Sequence, residues 1–312
     1  KRNEGIGEEI MREVIILGGD GFCGWPTALH LSNIGYDVTI VDDLSRRGID
    51  KKLKCESLTP ISTVATRIKA WKSVSGQRIE FRKIDVSYNY KRLLSLIDRQ
   101  SVVAVVHFAE QRSAPYSMKS SNTRRYTVSR NIDATHNVLT ALAESEHKPH
   151  LVHLGTMGVY GYGTAGTKLP EGYLTAQIEN LNGGTSSVEM LYPANPDSIY
   201  HMTKTLDQLM FQFYAKNDKL RITDLHQGIV WGTQTAETKL CEEVINRFDY
   251  DGDYGTVLNR FIMQGAIGHL LTVHGTGGQT RAFIHIQDTV RCIQMAIENP
   301  PIAGDRVVIR NQ

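Results

Sequence analysis

Cysteine is scarce. The chain has four in 312 residues, Cys23, Cys55, Cys241 and Cys292, far apart and with no Cys-x-x-Cys pair. That spacing speaks against a zinc ribbon and a disulfide framework. It makes a reducing, cytoplasmic compartment the expected one, with an organelle stroma as the alternative. The 11 histidines are scattered, with no two at ligand spacing beside acids, so no metal site is expected. No apolar run is long enough to cross a bilayer and no secretory leader is visible, so no membrane partner is expected. Charge of one sign is lacking as well. A net charge of +2 with 22% charged residues offers no field for nucleic acid and no acidic tail. Internal repeats and low-complexity tracts are missing, and the polar stretch Lys1 to Glu9 reads as a mobile terminus.

What the chain does have begins with a turn. Val14-Ile-Ile-Leu17 is a short apolar run that enters Gly18-Gly-Asp-Gly21-Phe22-Cys23-Gly24, and Phe22 to Ile34 then reads as a helix. Asp37-Val-Thr-Ile-Val41 follows as a strand and ends at Asp42. A strand, a glycine turn, a helix and an acid about twenty residues on form the dinucleotide fingerprint. Glycine lets the backbone approach a pyrophosphate, and the helix N-terminus offers it free N–H groups. Asp42 suits two ribose hydroxyls and repels a 2′-phosphate, which favours NAD over NADP. Arg46 and Arg47 follow, placed either to hold a 2′-phosphate or to contact the adenosine of NAD. Asp85 and Val86, after the next strand, are placed to meet adenine, or Asp85 caps a helix.

Strands are expected at 79–84, 102–107, 151–154 and 221–225, and helices at 60–74, 90–99, 124–146 and 200–214. This alternation implies an α/β fold, a Rossmann-like doubly wound parallel sheet with a smaller C-terminal substrate-binding lobe. Residues 12–227 are the expected NAD-binding domain, with 158–196 as a substrate-facing loop or hairpin. Residues 228–312 are the expected lobe, interleaved with that domain. The 124–146 and 200–214 helices are the candidate faces of a homodimer.

Tyr200 and Lys204 lie four apart, on one face of a helix that turns every ~3.6 residues. An ammonium there lowers the phenol's proton affinity, and the phenolate removes a hydroxyl proton as a nicotinamide takes the hydride. Thr156, at a strand end, is placed to hydrogen-bond a sugar hydroxyl and shorten the proton path. His201 is either a pocket acid–base group or a packing residue. Phe108, Ala109, Glu110 and Arg112 sit at a strand end, where such sheets bind ligands. Arg281 follows the glycine-rich loop Gly275-Thr-Gly-Gly-Gln279 and suits a phosphate, with Asn259 as a further polar candidate.

Together these residues resemble the extended short-chain dehydrogenase/reductase (NAD-dependent epimerase/dehydratase) superfamily, and within it the UDP-sulfoquinovose synthases. The likeness runs from Arg12 to Gln312. It is carried by Gly18 to Trp25, Glu56-Ser-Leu-Thr-Pro60, His107-Phe-Ala-Glu-Gln-Arg-Ser-Ala-Pro-Tyr-Ser-Met118, Gly155-Thr-Met-Gly158, Tyr200-His-Met-Thr-Lys204, Arg247-Phe-Asp-Tyr-Asp251 and Gly277-Gly-Gln-Thr-Arg281. The run from Glu110 to Met118 is the most specific. The resemblance implies bound NAD, UDP-glucose and sulfite as substrates, and a catalytic group of Thr156, Tyr200 and Lys204 assisted by His201. It implies C4 oxidation, loss of the 6-hydroxyl, sulfite addition at C6 and re-reduction at C4. Gln227 would face the sugar or nicotinamide, Thr272 and Gln279 the nucleotide side, and Arg281 the diphosphate. A 4-epimerase on the same scaffold is the alternative. Three positions depart from the pattern: Val159 replaces a pocket glutamate, His226 an asparagine and His274 a tyrosine. The family also continues past Gln312, which makes an open, incomplete substrate pocket the expectation.

Overall fold

The computed structural model describes residues 12–161, 168–273 and 275–312; Lys1 to Glu9 and His274 lie outside the described residues. Strand and helix alternate through β1 (Glu13–Leu17), α1 (Gly24–Asn33), β2 (Asp37–Asp42), α2 (Ser45–Leu53), α3 (Val64–Ser75), β3 (Ile79–Lys83), α4 (Tyr90–Ile97) and β4 (Val102–His107). Then come α5 (Ala114–Met118), α6 (Ser121–Glu144), β5 (His150–Thr156), the hairpin β6 (Tyr173–Glu179) and β7 (Thr185–Leu191), and α7 (Ile199–Asn217). The chain ends with β8 (Ile222–Gln227), β9 (Ile229–Trp231), α8 (Val257–Ala266), β10 (Phe283–His285), α9 (Ile286–Glu298) and β11 (Val308–Asn311). Seven strands form one parallel sheet in the order β11-β8-β5-β4-β1-β2-β3. This is the doubly wound α/β architecture that the alternation implied.

The apolar run of β1 has no polar alternation because both faces of its strand are covered. Val14 and Ile16 pack with Trp25, Leu29, Ile40 and Val106 on one face. Ile15 and Leu17 pack with Val41, Val105, Val138 and Leu142 on the other. Each such side chain, fully buried, contributes about 1.5–3 kcal/mol. The neighbours of β1 are β2 on one side and β4 on the other, so the sheet's growth reverses there. The crevice beyond the carboxyl ends of β1 and β4 is where ligands bind in such sheets. The glycine turn leaves β1 at that point, and the His107-to-Arg112 segment leaves β4.

Several elements differ from the expectation. Helix α1 starts at Gly24 because Phe22 and Cys23 belong to the turn. Helix α6 starts before Arg124 because Ser120 and Thr123 form a capping box. Helix α2 was not expected: its N-cap is Leu44 at φ 64, a left-handed leucine that no cap signal announces. After residue 228 the chain returns to the central sheet. Strand β11 pairs with β8, Val308 opposite Thr223 through Asn311 opposite His226, and Ile293 and Ile297 of α9 join the core beside α1. The 158–196 segment contains the antiparallel β6–β7 hairpin, with 162–167 outside the described residues.

One buried pair ties α1 to the segment after β9. His30 Nδ1 lies 3.0 Å from Glu237 Oε1, and Nε2 lies 2.8 Å from Gln294 Oε1. The bond to Glu237 raises His30's proton affinity against the effect of burial. Glu237 is held below its usual range, because the bonds from His30 and Thr235 outweigh burial. The His30 contribution is complete below about pH 6.5, its unfolded value, and is lost as pH rises through the raised folded value. The Glu237 contribution is present above about pH 4.3 and lost as pH falls through its lowered value. The loss of melting temperature in His30→Gln, followed by thermal unfolding across pH, is therefore expected to be largest near pH 5–6 and to shrink above it. A loss independent of pH would show that the pair is not ionic.

Candidate active site

The switch-point crevice is a cavity, and the glycine turn forms one wall of it through Gly18, Gly21, Phe22, Cys23 and Gly24. Gly18 has φ 80, and a Cβ there would come within 2.7 Å of the Phe108 carbonyl carbon. A Cβ on Gly24 would come within 2.7 Å of Gly19 Cα and would also strike the Gly18 carbonyl oxygen. Both positions need glycine so that the turn can pack closely, Gly18 against the segment after β4 and Gly24 against the turn itself, at the N-terminus of α1. The Cys23 thiol is pushed up to about 12 by burial, so it lines the wall as a neutral group.

Asp42 lines the same cavity at the end of β2. Its carboxylate accepts from the backbone N–H of Asp20 at 2.9 Å and of Leu44 at 2.7 Å. Burial, and then the nearby Asp20, push its pKa up to about 7. Asp85, Val86, Phe108 and Ala109 complete this half of the cavity. Asp85 does not cap α4, whose N-cap is Asn89. It accepts from Ser87 N at 3.0 Å and pairs with Arg130. A glycine cradle at a helix start, with an acid at the next strand end, fits a dinucleotide. Asp42→Asn is expected to weaken NAD about tenfold or more and to narrow its preference over NADP. For the unaltered chain, NAD affinity should fall as pH drops below about 7, because protonated Asp42 loses acceptor capacity. Fluorescence titrations with both cofactors across pH check this; equal affinities for variant and parent would remove Asp42 from the site.

The arginines resolve differently. Arg46 lines the cavity, but its guanidinium is held by Asp50 and Asp249 and stacks 3.6 Å from the Tyr254 ring centroid. Arg47 is engaged elsewhere in the protein. Its guanidinium is bidentate on Asp20, at 2.5 and 2.8 Å, and it does not line the cavity. Arg112 lines the cavity and pairs with Asp249.

Tyr200 and Lys204 stand one turn apart near the start of α7 and both line the cavity, with Thr156 and Gln227 across from them. Ser198 sets the start of that helix by accepting from His201 N at 3.1 Å. Burial pushes the Tyr200 phenol up to about 12; Lys204 pulls it down and Glu110 opposes that pull. Lys204 keeps its charge despite complete burial, because Glu110, Tyr200 and Asp207 favour the ammonium. Its Nζ lies 2.9 Å from each of Glu110 Oε1, His153 Nε2 and the Leu154 carbonyl. Thr156 Oγ1 caps the turn that follows β5, accepting from Gly158 N at 3.0 Å, while also lining the cavity. Glu110, His153 and Asp207 bring donor atoms within 4.8 Å of one another, and the cation beside them is the Lys204 ammonium.

Other expected site residues fall outside the cavity lining. His201 is buried against Gly158, where a Cβ would come within 2.9 Å of its Cε1, and its Nδ1 lies 3.1 Å from Ser198 Oγ. Burial drives its pKa down to about 4, so the ring is neutral near pH 7. Asn259 turns its carbonyl to Gly232 N at 2.9 Å. Thr272 Oγ1 accepts from Gln264 at 2.9 Å. Gln279 and Arg281 sit on the loop after residue 274, and Arg281 lowers the proton affinity of His201. Of the departures, Val159 is buried at 1% exposure and does not line the cavity. His226 joins a buried network that single-residue reading missed. His153 Nδ1 and His226 Nε2 each lie 2.8 Å from Asp224, and His226 Nδ1 lies 2.9 Å from the Tyr160 hydroxyl.

This geometry agrees with what the chain is similar to. The model of the NAD dependent epimerase/dehydratase family matches residues 14–309. UDP-sulfoquinovose synthase from Spinacia oleracea, a chloroplastic protein, is 45% identical over 294 residues, covering 94% of this chain and 59% of the spinach protein. The chain thus spans less than two thirds of that relative's length. UDP-sulfoquinovose synthase from Sulfolobus acidocaldarius is 37% identical over 293 residues, 94% of this chain and 72% of that protein. Among solved structures, a UDP-N-acetylglucosamine 4-epimerase from Methanobrevibacter ruminantium superposes with a TM-score of 0.69 at 20% identity, covering 97% of this chain and 76% of that one. At that identity the last likeness speaks for the fold alone. The chain belongs to the NAD dependent epimerase/dehydratase family.

Proposed function

We propose that this protein is an NAD-dependent nucleotide-sugar enzyme of the UDP-sulfoquinovose synthase type, acting on UDP-glucose and sulfite. The observation that carries the reading is the meeting of Tyr200, Lys204 and Thr156 with the glycine cradle and Asp42 in one cavity. The cradle and Asp42 hold the dinucleotide, and Lys204 lowers the proton affinity of Tyr200 from its side of the helix. Tyr200 then takes the C4 hydroxyl proton, with Thr156 as the neighbouring hydrogen-bond partner. NAD bound there would supply a hydride acceptor for C4 and, once reduced, the donor that restores it. With C4 a ketone, the C5 proton is acidic; its loss expels the 6-hydroxyl as water, and sulfite adds to the enone at C6. Arg112 and Gln227 face the sugar. Arg281 reaches the diphosphate from the side of His201, whose proton affinity it lowers.

The test is incubation with NAD, UDP-glucose and sulfite, with products followed by mass spectrometry and proton NMR. A sulfonated UDP-sugar is expected. Inversion at C4 with no sulfonate would replace this reading with a 4-epimerase.

A second copy of the chain is the proposed partner. Helix α7 presents Leu206, Leu209 and Phe213 at 38%, 56% and 59% exposure, an apolar stripe at helical spacing. Sedimentation is expected to give a dimer that Leu209→Glu dissociates; a monomer at all concentrations would refute it. A reducing compartment, cytoplasmic by default, suits four free cysteines.

A further inference from the structure

The Asp85 carboxylate follows β3, lines the cavity and is almost fully engaged. Its Oδ1 accepts from Ser87 N at 3.0 Å and from Ser87 Oγ at 2.6 Å. Its Oδ2 accepts from the Arg130 guanidinium. A carboxylate offers about four lone-pair positions, and among the described residues these bonds use all but one of them. The position left over is on Oδ2, the oxygen that Arg130 holds. Against the effect of burial, the bonds from Ser87 and Arg130 keep the carboxyl below its usual range. It is therefore ionised near pH 7 and has no proton to give.

Arg130 is itself held in place. Its Nη1 donates to Ser87 Oγ at 3.0 Å, and its guanidinium lies 4.9 Å from the Tyr88 ring centroid and 5.5 Å from that of Tyr126. Two turns further along the same face of α6, Asn137 Nδ2 donates to the Val86 and Ser87 carbonyls at 2.9 and 3.0 Å. Helix α6 thus grips the segment after β3 at two points. Tyr126, Arg130 and Ala134, four residues apart, form its stripe on the cavity. Ile84 and Val86 give the opposite side an apolar surface suited to a flat base. With the pyrophosphate on the glycine turn and the ribose on Asp42, the base of the dinucleotide falls in this corner, away from Tyr200. A purine with a 6-amino group brings an N–H donor to the free Asp85 position. A 6-oxopurine brings a lone pair to a carboxylate that can only accept.

We propose that Arg130 is a positioning residue for the cofactor's base: it holds Asp85 with one free acceptor in the cavity, and so makes the chain select adenine over a 6-oxopurine. The proposal rests on the reading of the cavity as the NAD site, and its test needs no sugar.

The experiment is calorimetric titration of the full chain with NAD and with nicotinamide hypoxanthine dinucleotide, in which a 6-oxopurine replaces adenine. The unaltered chain is expected to bind NAD about tenfold tighter or more. Arg130→Met is expected to weaken NAD toward the hypoxanthine form and to leave the hypoxanthine form unmoved. An asparagine can turn either its oxygen or its NH₂ to the base, so Asp85→Asn should erase the preference. Adding Arg130→Met to Asp85→Asn should then change the ratio no further. Equal affinities in the unaltered chain would overturn the proposal whether or not the variants fold. So would an Arg130→Met that weakens both dinucleotides alike, as a merely structural arginine would. A ratio that Arg130→Met shifts as much in the Asp85→Asn chain as in the unaltered one would overturn it too, since Arg130 would not be acting through Asp85. Binding of neither dinucleotide by the unaltered chain would overturn the NAD reading beneath it, and the proposal with it.

Discussion

Replacing Tyr200 with phenylalanine is expected to lower turnover about 10²–10⁴-fold, the range of a positioned acid–base group, while NAD stays bound. Phenylalanine keeps the ring and its packing against His201, whose centroid lies 5.2 Å away. Only the hydroxyl is lost, and with it the group proposed to accept the C4 proton. The phenol sits near 12 without cofactor because burial outweighs Lys204. Activity in the unaltered chain should therefore climb with pH as the phenol ionises. The measurement pairs product formation with NAD retention on gel filtration. Unchanged turnover would remove Tyr200 from the chemistry. Lost turnover with lost NAD would mean that the substitution acted on the cradle instead.

The second large effect is expected at Gly24. An alanine there would press its methyl onto two backbone atoms, the Gly18 carbonyl oxygen and Gly19 Cα. Backbone cannot rotate away as a side-chain end can, so the turn itself must shift. Overpacking of this kind costs about 1–3 kcal/mol, and the displaced turn is the one proposed to hold the pyrophosphate. Gly24→Ala is expected to lower the melting temperature and to weaken NAD about tenfold or more. Gly48→Ala is the control: Gly48 lies within α2 with nothing within 4 Å of its added Cβ, and alanine favours a helix. Calorimetric titration with NAD and thermal unfolding of both variants check this. Equal behaviour of the two would show that the turn has slack.

These two positions were legible in the sequence because their signals are local. A glycine pattern directly after an apolar run, and a tyrosine four residues before a lysine, need no knowledge of the fold. Asp42 was legible for the same reason, as the acid at the end of the next strand. The His153–Asp224 contact was not. It depends on the parallel register of β5 and β8, which sets His153 opposite Asp224 and Gly155 opposite His226. Nothing in the intervening chain announces that register. The pairing of Arg47 with Asp20 was not legible either, because it joins α2 to the glycine turn across 27 residues of chain. The seventh strand, β11, escaped because Val308–Asn311 is short and is defined by its pairing with β8 rather than by its own pattern.

The central claim, that the site works by transient oxidation at C4, is tested most directly with UDP-glucose carrying deuterium at C4. NAD-loaded protein is mixed with the labelled sugar, quenched in cold alkali at short times, and its reduced nicotinamide analysed by mass spectrometry. Deuterated reduced nicotinamide is predicted to appear transiently with the unaltered chain and to be missing with Tyr200→Phe. Product formation with no labelled reduced nicotinamide at any time would contradict the account.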